Sequence, residues 1–203
     1  MQFPSFELLG QSLLSGLFIG GLYGLLGLGL SLSWGMLKQI NLAHFALSFF
    51  GAYLTYQLSV SFGLDPLVTL VIIAPGFFVV GMAMHWVFAR FKVTPFNSLL
   101  VTFGITVVIE SVIQWVWTAD YRKLESHYAD IKFKVGLMYI PLPELLTLLI
   151  SVALALATWA VLRYTSIGKA MRAMSENPKM AAAFGVNEPM LALLLSGAAS
   201  AFA

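Results

Sequence analysis

The chain contains no cysteine, and only 10% of its 203 residues are charged. The first absence excludes a disulfide framework and any thiolate metal site. The second excludes a water-facing globular surface, since soluble domains carry about 25% charged residues. No basic face exists outside short loops, and the net charge is only +2. Nucleic acid is therefore not expected as a partner. The opening residues MQFPSFELLGQ lack the basic stretch of a cleavable leader and run directly into an apolar segment.

What the chain has in excess is apolar length. Hydrophobic residues make up 60% of it, and its mean hydropathy is +0.89. A membrane crossing needs about 20 apolar residues. The sequence offers six such segments: Ser12–Ser33, Leu42–Val60, Leu67–Phe88, Ser98–Thr118, Leu145–Leu162 and a sixth from Met190 that stops at Ala203. Open backbone cannot face lipid, so the spans are helices. They lack the alternation of a barrel strand. The expected fold is all-α and polytopic. Its sixth span is truncated, so the chain reads as the N-terminal part of a longer protein. Residues 33–41 are short and mostly apolar, and read either as a loop or as a re-entrant connection.

Lysine and arginine set the orientation. Lys38, Arg90, Lys92, Arg163, Lys169, Arg172 and Lys179 fall on one side; Arg122, Lys123, Lys132 and Lys134 fall on the other. The more basic side is expected in the cytoplasm, which puts loop 163–189 inside and loop 119–141 outside. Asp65, Asp120, Glu125, Asp130 and Glu144 gather on the external side. Within the external loop, IKFKVGLMYI suggests two short strands around Gly136. That segment is either a solvated connector or a contact surface for an external partner.

Inside the spans, polar residues fall on helical spacings. His44, Ser48, Gly51 and Thr55 share one face of the second span. Thr102, Thr106, Glu110 and Gln114 share one face of the fourth. Glu110 is acidic well inside a span, where a charge costs about 2.5–3.5 kcal/mol on insertion scales. It is expected to face protein or water or to be protonated, either as a hydrogen-bonded neutral group or on a substrate route or proton relay. Gly16, Gly20, Gly24 and Gly27 predict close helix packing in the first span. His85, Trp115, Trp117 and Trp159 read as interfacial anchors.

The stretch 166–186, SIGKAMRAMSENPKMAAAFGV, is polar, basic and punctuated by Gly and Pro. Gly168–Met174 predicts one short helix. Asn177-Pro178 reads as an N-cap followed by proline at the first helical position. Lys179–Phe184 predicts a second helix, closed by Gly185 in a left-handed cap. Met171, Met174 and Phe184 are expected as apolar knobs for a partner's groove. The competing reading is an amphipathic pair lying on lipid headgroups.

Three segments carry a family resemblance. INLAHFALSFFGAY, residues 40–53, resembles I-N-F-A-H-G followed by G-A-Y. TFGITVVIE, residues 102–110, resembles T-x-G-L/V-S-x-x-L/I-Q/E. Residues 166–187 resemble G-R-A-x-R-A-x-x-E/D-N/D-x-x-x-A-x-x-x-G-I/V-N. Together they make the chain similar to the permease subunits of branched-chain amino acid ABC importers, including their urea and amide relatives. Phe45 departs from the pattern, standing where Gly is usual, and Thr106 replaces Ser. The resemblance implies an importer subunit of a cytoplasmic (inner) membrane that works with two ATP-binding subunits, a second permease subunit and an extracytoplasmic solute-binding protein. It implies no cofactor. No G-x-x-x-x-G-K-S/T occurs in the chain, so ATP is left to the partner. The expected ATPase-coupling residues are Gly168, Arg172, Glu176, Asn177, Pro178, Phe184 and Gly185. The expected path residues are Asn41, His44, Ser48, Thr102, Thr106, Glu110 and Gln114. Two other classes compete: a secondary transporter using Glu110 as an ion or proton site, and an intramembrane enzyme pairing Ser48 or Ser111 with His44.

Overall fold

A computed structural model describes residues 6–118, 122–124, 128, 130–136 and 138–203. Asp120 and Glu125 lie outside the described residues. Helices dominate: α1 Phe6–Leu37, α2 Ala43–Phe62, α3 Pro66–Arg90, α4 Pro95–Trp117, α5 Leu142–Tyr164, α6 Ser166–Glu176, α7 Pro178–Ala183 and α8 Glu188–Ala201. Two short strands, β1 Lys132–Val135 and β2 Met138–Pro141, pair antiparallel about Gly136, whose φ is +64°. The chain is thus an all-α polytopic membrane protein with one small hairpin, as the sequence predicts.

Four helices, α1, α3, α4 and α5, are long and apolar enough to cross a membrane. The remaining two expected spans fall short for different reasons. α2 has 20 residues but is diluted by His44, Ser48, Thr55, Gln57, Ser59 and Ser61. α8 has 14 residues. Proline and side-chain caps set most helix starts. Asp65 caps α3 by accepting from Leu67 N, Thr94 caps α4 by accepting from Asn97 N, and each is followed by Pro at the first helical position. The left-handed Gly63, with φ +65°, ends α2.

The helices pack in the spatial order α5, α1, α8, α3, α2, α4. α8 is the most deeply enclosed, and small residues let it lie close to both neighbours. A Cβ on Gly81 of α3 would collide with Ser196 O, and Ser196 Oγ donates to Gly81 O at 2.9 Å. A Cβ on Gly29 of α1 would sit 2.5 Å from His44 Cε1 and 2.8 Å from Ala199 O. The close approaches therefore occur at Gly29 and Gly81. Gly16, Gly20, Gly24 and Gly27 meet nothing within 4 Å. Among the described residues of this chain, the face turned toward α8 is therefore a different one from the 4-residue glycine stripe.

At the end carrying the hairpin, Gln11 Nε2 donates to Tyr139 O at 3.0 Å and Tyr139 N donates to Gln11 Oε1 at 2.9 Å. This double bond fastens β2 to the start of α1. Tyr128 Oη donates to Asp65 Oδ1 at 3.0 Å, which ties the same loop to the start of α3. Burial, reinforced by the Asp65 carboxylate, raises the Tyr128 pKa above its ordinary value of 10.0.

Candidate functional site

Two regions hold the residues singled out from the sequence. The first is the pair α6 and α7. Thr165 Oγ1 accepts from Gly168 N at 3.0 Å and starts α6 immediately after α5 ends. Gly168 is the pivot of this fold-back: a Cβ there would collide with Val161 O and the Leu162 backbone. It is buried and sets the angle of α6. Asn177 Oδ1 accepts from Met180 N at 3.1 Å and caps α7, with Pro178 next. Gly185 closes α7 at φ +85°, a conformation that side chains with a Cβ resist. The two-helix reading of the stretch holds in each of these details.

The knobs are distributed differently from expectation. Met171 and Met174 are 7% and 4% exposed and pack with Leu32, Leu191 and Leu195. They root α6 in α1 and α8. Phe184 alone of the three projects outward, at 84% exposed, joined by Met180 at 55%. Arg172, Glu176 and Asn177 are also exposed. α6 is thus amphipathic, with a buried methionine face and a polar outer one. Under it, a cavity of about 540 Å³ opens between the end of α1, the end of α3 and the start of α8, lined by Lys38, Trp86, Pro178 and Glu188 among others. His85 is buried there, with Nδ1 3.3 Å from Gln39 Oε1, and is no interfacial anchor.

The second region is the contact between α2 and α4, and it divides the seven expected path residues into two groups. One group is structural. Thr102 is fully buried; its Oγ1 accepts from Leu42 N at 3.1 Å and lies 3.2 Å from Ile40 O. Ser98, equally buried, accepts from Ile40 N at 3.1 Å. These hydroxyls satisfy the non-helical backbone joining α1 to α2, which is how irregular backbone is tolerated inside a membrane protein. His44 is 1% exposed with Nε2 3.1 Å from Leu26 O, so its ring N–H donates to the α1 backbone. Asn41 Oδ1 is buried without a hydrogen-bond partner among the described residues. Ser98 was not anticipated as a site residue; its position four residues before Thr102 on the same face was the available signal.

The other group lines an open groove of about 390 Å³. Thr106, Glu110 and Gln114 form one wall at i, i+4 and i+8 on α4. Phe45, Phe49 and Tyr53 form the other at the same spacing on α2. Asn41, His44, Ser48 and Thr102 do not line it. Glu110 and Gln114 are exposed in this single chain. Trp117, near the end of α4, packs against α2: it is 7% exposed, its Nε1 donates to Gln57 Oε1 at 2.9 Å, and its ring centre lies 5.4 Å from that of Tyr53. It is a packing residue, unlike the exposed Trp115 and Trp159.

A bundle of apolar helices, one stretch of short polar helices rooted in its core and a polar groove along α4 together define a polytopic α-helical membrane protein. The match of residues 12–203 to the family described as the permease component of branched-chain amino acid transport systems places the chain in that family, to which it belongs. It is similar to the high-affinity branched-chain amino acid transport system permease protein LivH of Salmonella typhimurium strain LT2, with 23% identity over 206 residues, covering 87% of this chain and 62% of that protein. The LivH protein of Escherichia coli K12 is 24% identical over 202 residues with the same coverage. The chain therefore spans less than two thirds of the length of these relatives. No solved structure matches it significantly.

Proposed function

We propose that the chain is the membrane subunit of an ATP-driven importer for branched-chain amino acids or related small amino acids and amides, energised by separate ATP-binding subunits that dock on α6 and α7. The observation that carries this reading is the construction of that docking region. Its outer surface offers Phe184 as an exposed aromatic anchor. Its inner surface plants Met171 and Met174 among Leu32 of α1 and Leu191 and Leu195 of α8. A push on α7 is thereby delivered to two core helices, because packed interiors shift between discrete arrangements and do not deform smoothly. A loop that merely lay on lipid headgroups would need no such root.

The remaining parts take their places in this scheme. The basic-residue bias puts α6 and α7 in the cytoplasm and the hairpin outside, in the inner membrane of a bacterial-type cell. Two ATP-binding subunits and a second permease subunit complete the assembly. The solute-binding protein meets the hairpin, whose Lys134 and Tyr139 share one face, with Lys134 Nζ 5.8 Å from the Tyr139 ring centre. The route for the solute runs along the α2/α4 groove, open in the single chain and closed by the second permease.

Gly185→Val tests the docking claim. A left-handed residue with a Cβ costs about 1–2 kcal/mol, enough to reorient Phe184. The variant is expected to insert in the membrane normally and to recover less ATP-binding subunit on purification. Full recovery of that subunit would count against the docking role.

A further inference from the structure

Among the described residues, the α2/α4 groove contains one carboxylate, and that side chain is unpartnered. Glu110 is exposed to the groove at the middle of α4, and no hydrogen bond or ion pair reaches its carboxylate among the described residues. A carboxylate within a span is costly and marks a ligand or ion route. Among the described residues, no Lys, Arg or His lines the groove. Opposite Glu110 stand Phe45, Phe49 and Tyr53, with the Phe49 and Tyr53 rings 6.3 Å apart and tilted by 40°. Aromatic faces attract cations as a carboxylate does. At about 390 Å³ the space lies at the small end of the range for ligand pockets.

We propose that this groove is an ammonium-reading subsite, in which Glu110 takes the protonated amine of a small molecule while Phe45, Phe49 and Tyr53 cover its slim apolar body. The inference rests on the transport reading above, since it puts the groove on the solute's route. It adds which end of the solute the groove recognises. An amino acid fits by its ammonium group; among the described residues its carboxylate finds neutral donors such as the Gln114 amide and the Tyr53 hydroxyl, while the Thr106 hydroxyl already donates to Thr102 O. Phe45 bounds the groove at its lower end, next to Thr106, and so limits the length of the apolar body.

The test uses the complete transporter in lipid nanodiscs and three probes of one shape: n-butylammonium, butyramide and butyrate. Equilibrium binding is expected to rank them in that order, with the ammonium bound about ten- to a hundredfold tighter than the amide, as for a hydrogen bond to a charged group. Glu110→Gln is expected to bring the ammonium-to-amide ratio close to one, and Glu110→Asp to keep part of it. Phe49→Leu combined with Tyr53→Leu is expected to weaken the ammonium more than the amide. This second variant keeps the test decisive if the Glu110 variants do not assemble. Equal binding of the three probes, or an ammonium preference that survives Glu110→Gln, would overturn the proposal. Capture of the ATP-binding subunit is measured in the same preparations. If it is captured but no charge preference is seen, the subsite alone fails; if it is not captured, the transport reading fails.

Discussion

Replacing Thr102 by Val keeps the shape of a buried side chain and removes its hydroxyl. In the native chain that hydroxyl accepts from Leu42 N and reaches Ile40 O, in the segment that leaves α1 and enters α2. Polar contacts between membrane helices average only about 0.6 kcal/mol, because unfolded helices in lipid find other partners. Thr102 differs in what it satisfies. Leu42 N sits at the start of α2, where no intrahelical carbonyl is available to it. A buried N–H left without a partner costs about 1–3 kcal/mol, and that larger figure should govern here. Ser98 serves Ile40 N in the same segment, so the two sites are coupled. Once one hydroxyl is gone the segment lifts and admits water, and loss of the second then costs less. The assay is a double-mutant cycle with Ser98→Ala and Thr102→Val, read by reversible unfolding in mixed micelles. Each single variant should lose about 1–3 kcal/mol. The double variant should fall short of their sum by about 0.5 kcal/mol or more. Thr102→Ser should retain most of the stability. Strict additivity, or a Thr102→Val variant as stable as the parent, would refute the assignment of these hydroxyls to the backbone of residues 40–42.

Gly81→Val should destabilise by about 1–3 kcal/mol or prevent folding, since it drives a branched side chain into the α8 backbone at Ser196; Gly24→Ala, which meets open space, should be neutral in the same unfolding assay. The Tyr128–Asp65 bond should hold below about pH 10 and be lost as pH rises through the higher native pKa of Tyr128, because the folded state keeps the proton that the unfolded state releases. Comparing thermal stability across that range with Tyr128→Phe should show an alkaline decline in the parent that the variant lacks. Reversing Lys132 and Lys134 to Glu should lower the stimulation of ATP hydrolysis by the binding protein, increasingly so at low salt, and spare basal hydrolysis. Equal loss of both activities would indicate damage to the fold.

The sequence announces the helices well, because lipid imposes a single rule on length and polarity. It also announces the α6–α7 pair, because Asn177-Pro178 and Gly185 act through local backbone geometry that needs no tertiary partner. What stays hidden is which side of a helix faces which neighbour. Met171, Met174 and Phe184 are alike in composition, yet two are roots and one is exposed. The glycines of α1 look equivalent on spacing, and only contact with α8 and His44 distinguishes Gly29. The polar face of α4 reads as one continuous set. In three dimensions Thr102 turns to the α1–α2 connection, while Thr106, Glu110 and Gln114 open onto the groove, because residues 40–42 close over only the Thr102 end of that face. Phe45 stands out in sequence as a departure from the family pattern, and the structure gives it a location on the aromatic wall.

The central claim is that α6 and α7 receive the ATP-binding subunit. A photoreactive phenylalanine analogue at Phe184, exposed at the tip of α7, tests it in the assembled transporter in its native membrane. The same analogue at Phe133 on the hairpin, 47% exposed at the opposite end of the molecule, is the internal control. Position 184 should cross-link to the ATP-binding subunit and position 133 should not. No cross-link from 184 in a transporter that imports its solute with ATP, or a cross-link to the ATP-binding subunit from 133, would contradict the account.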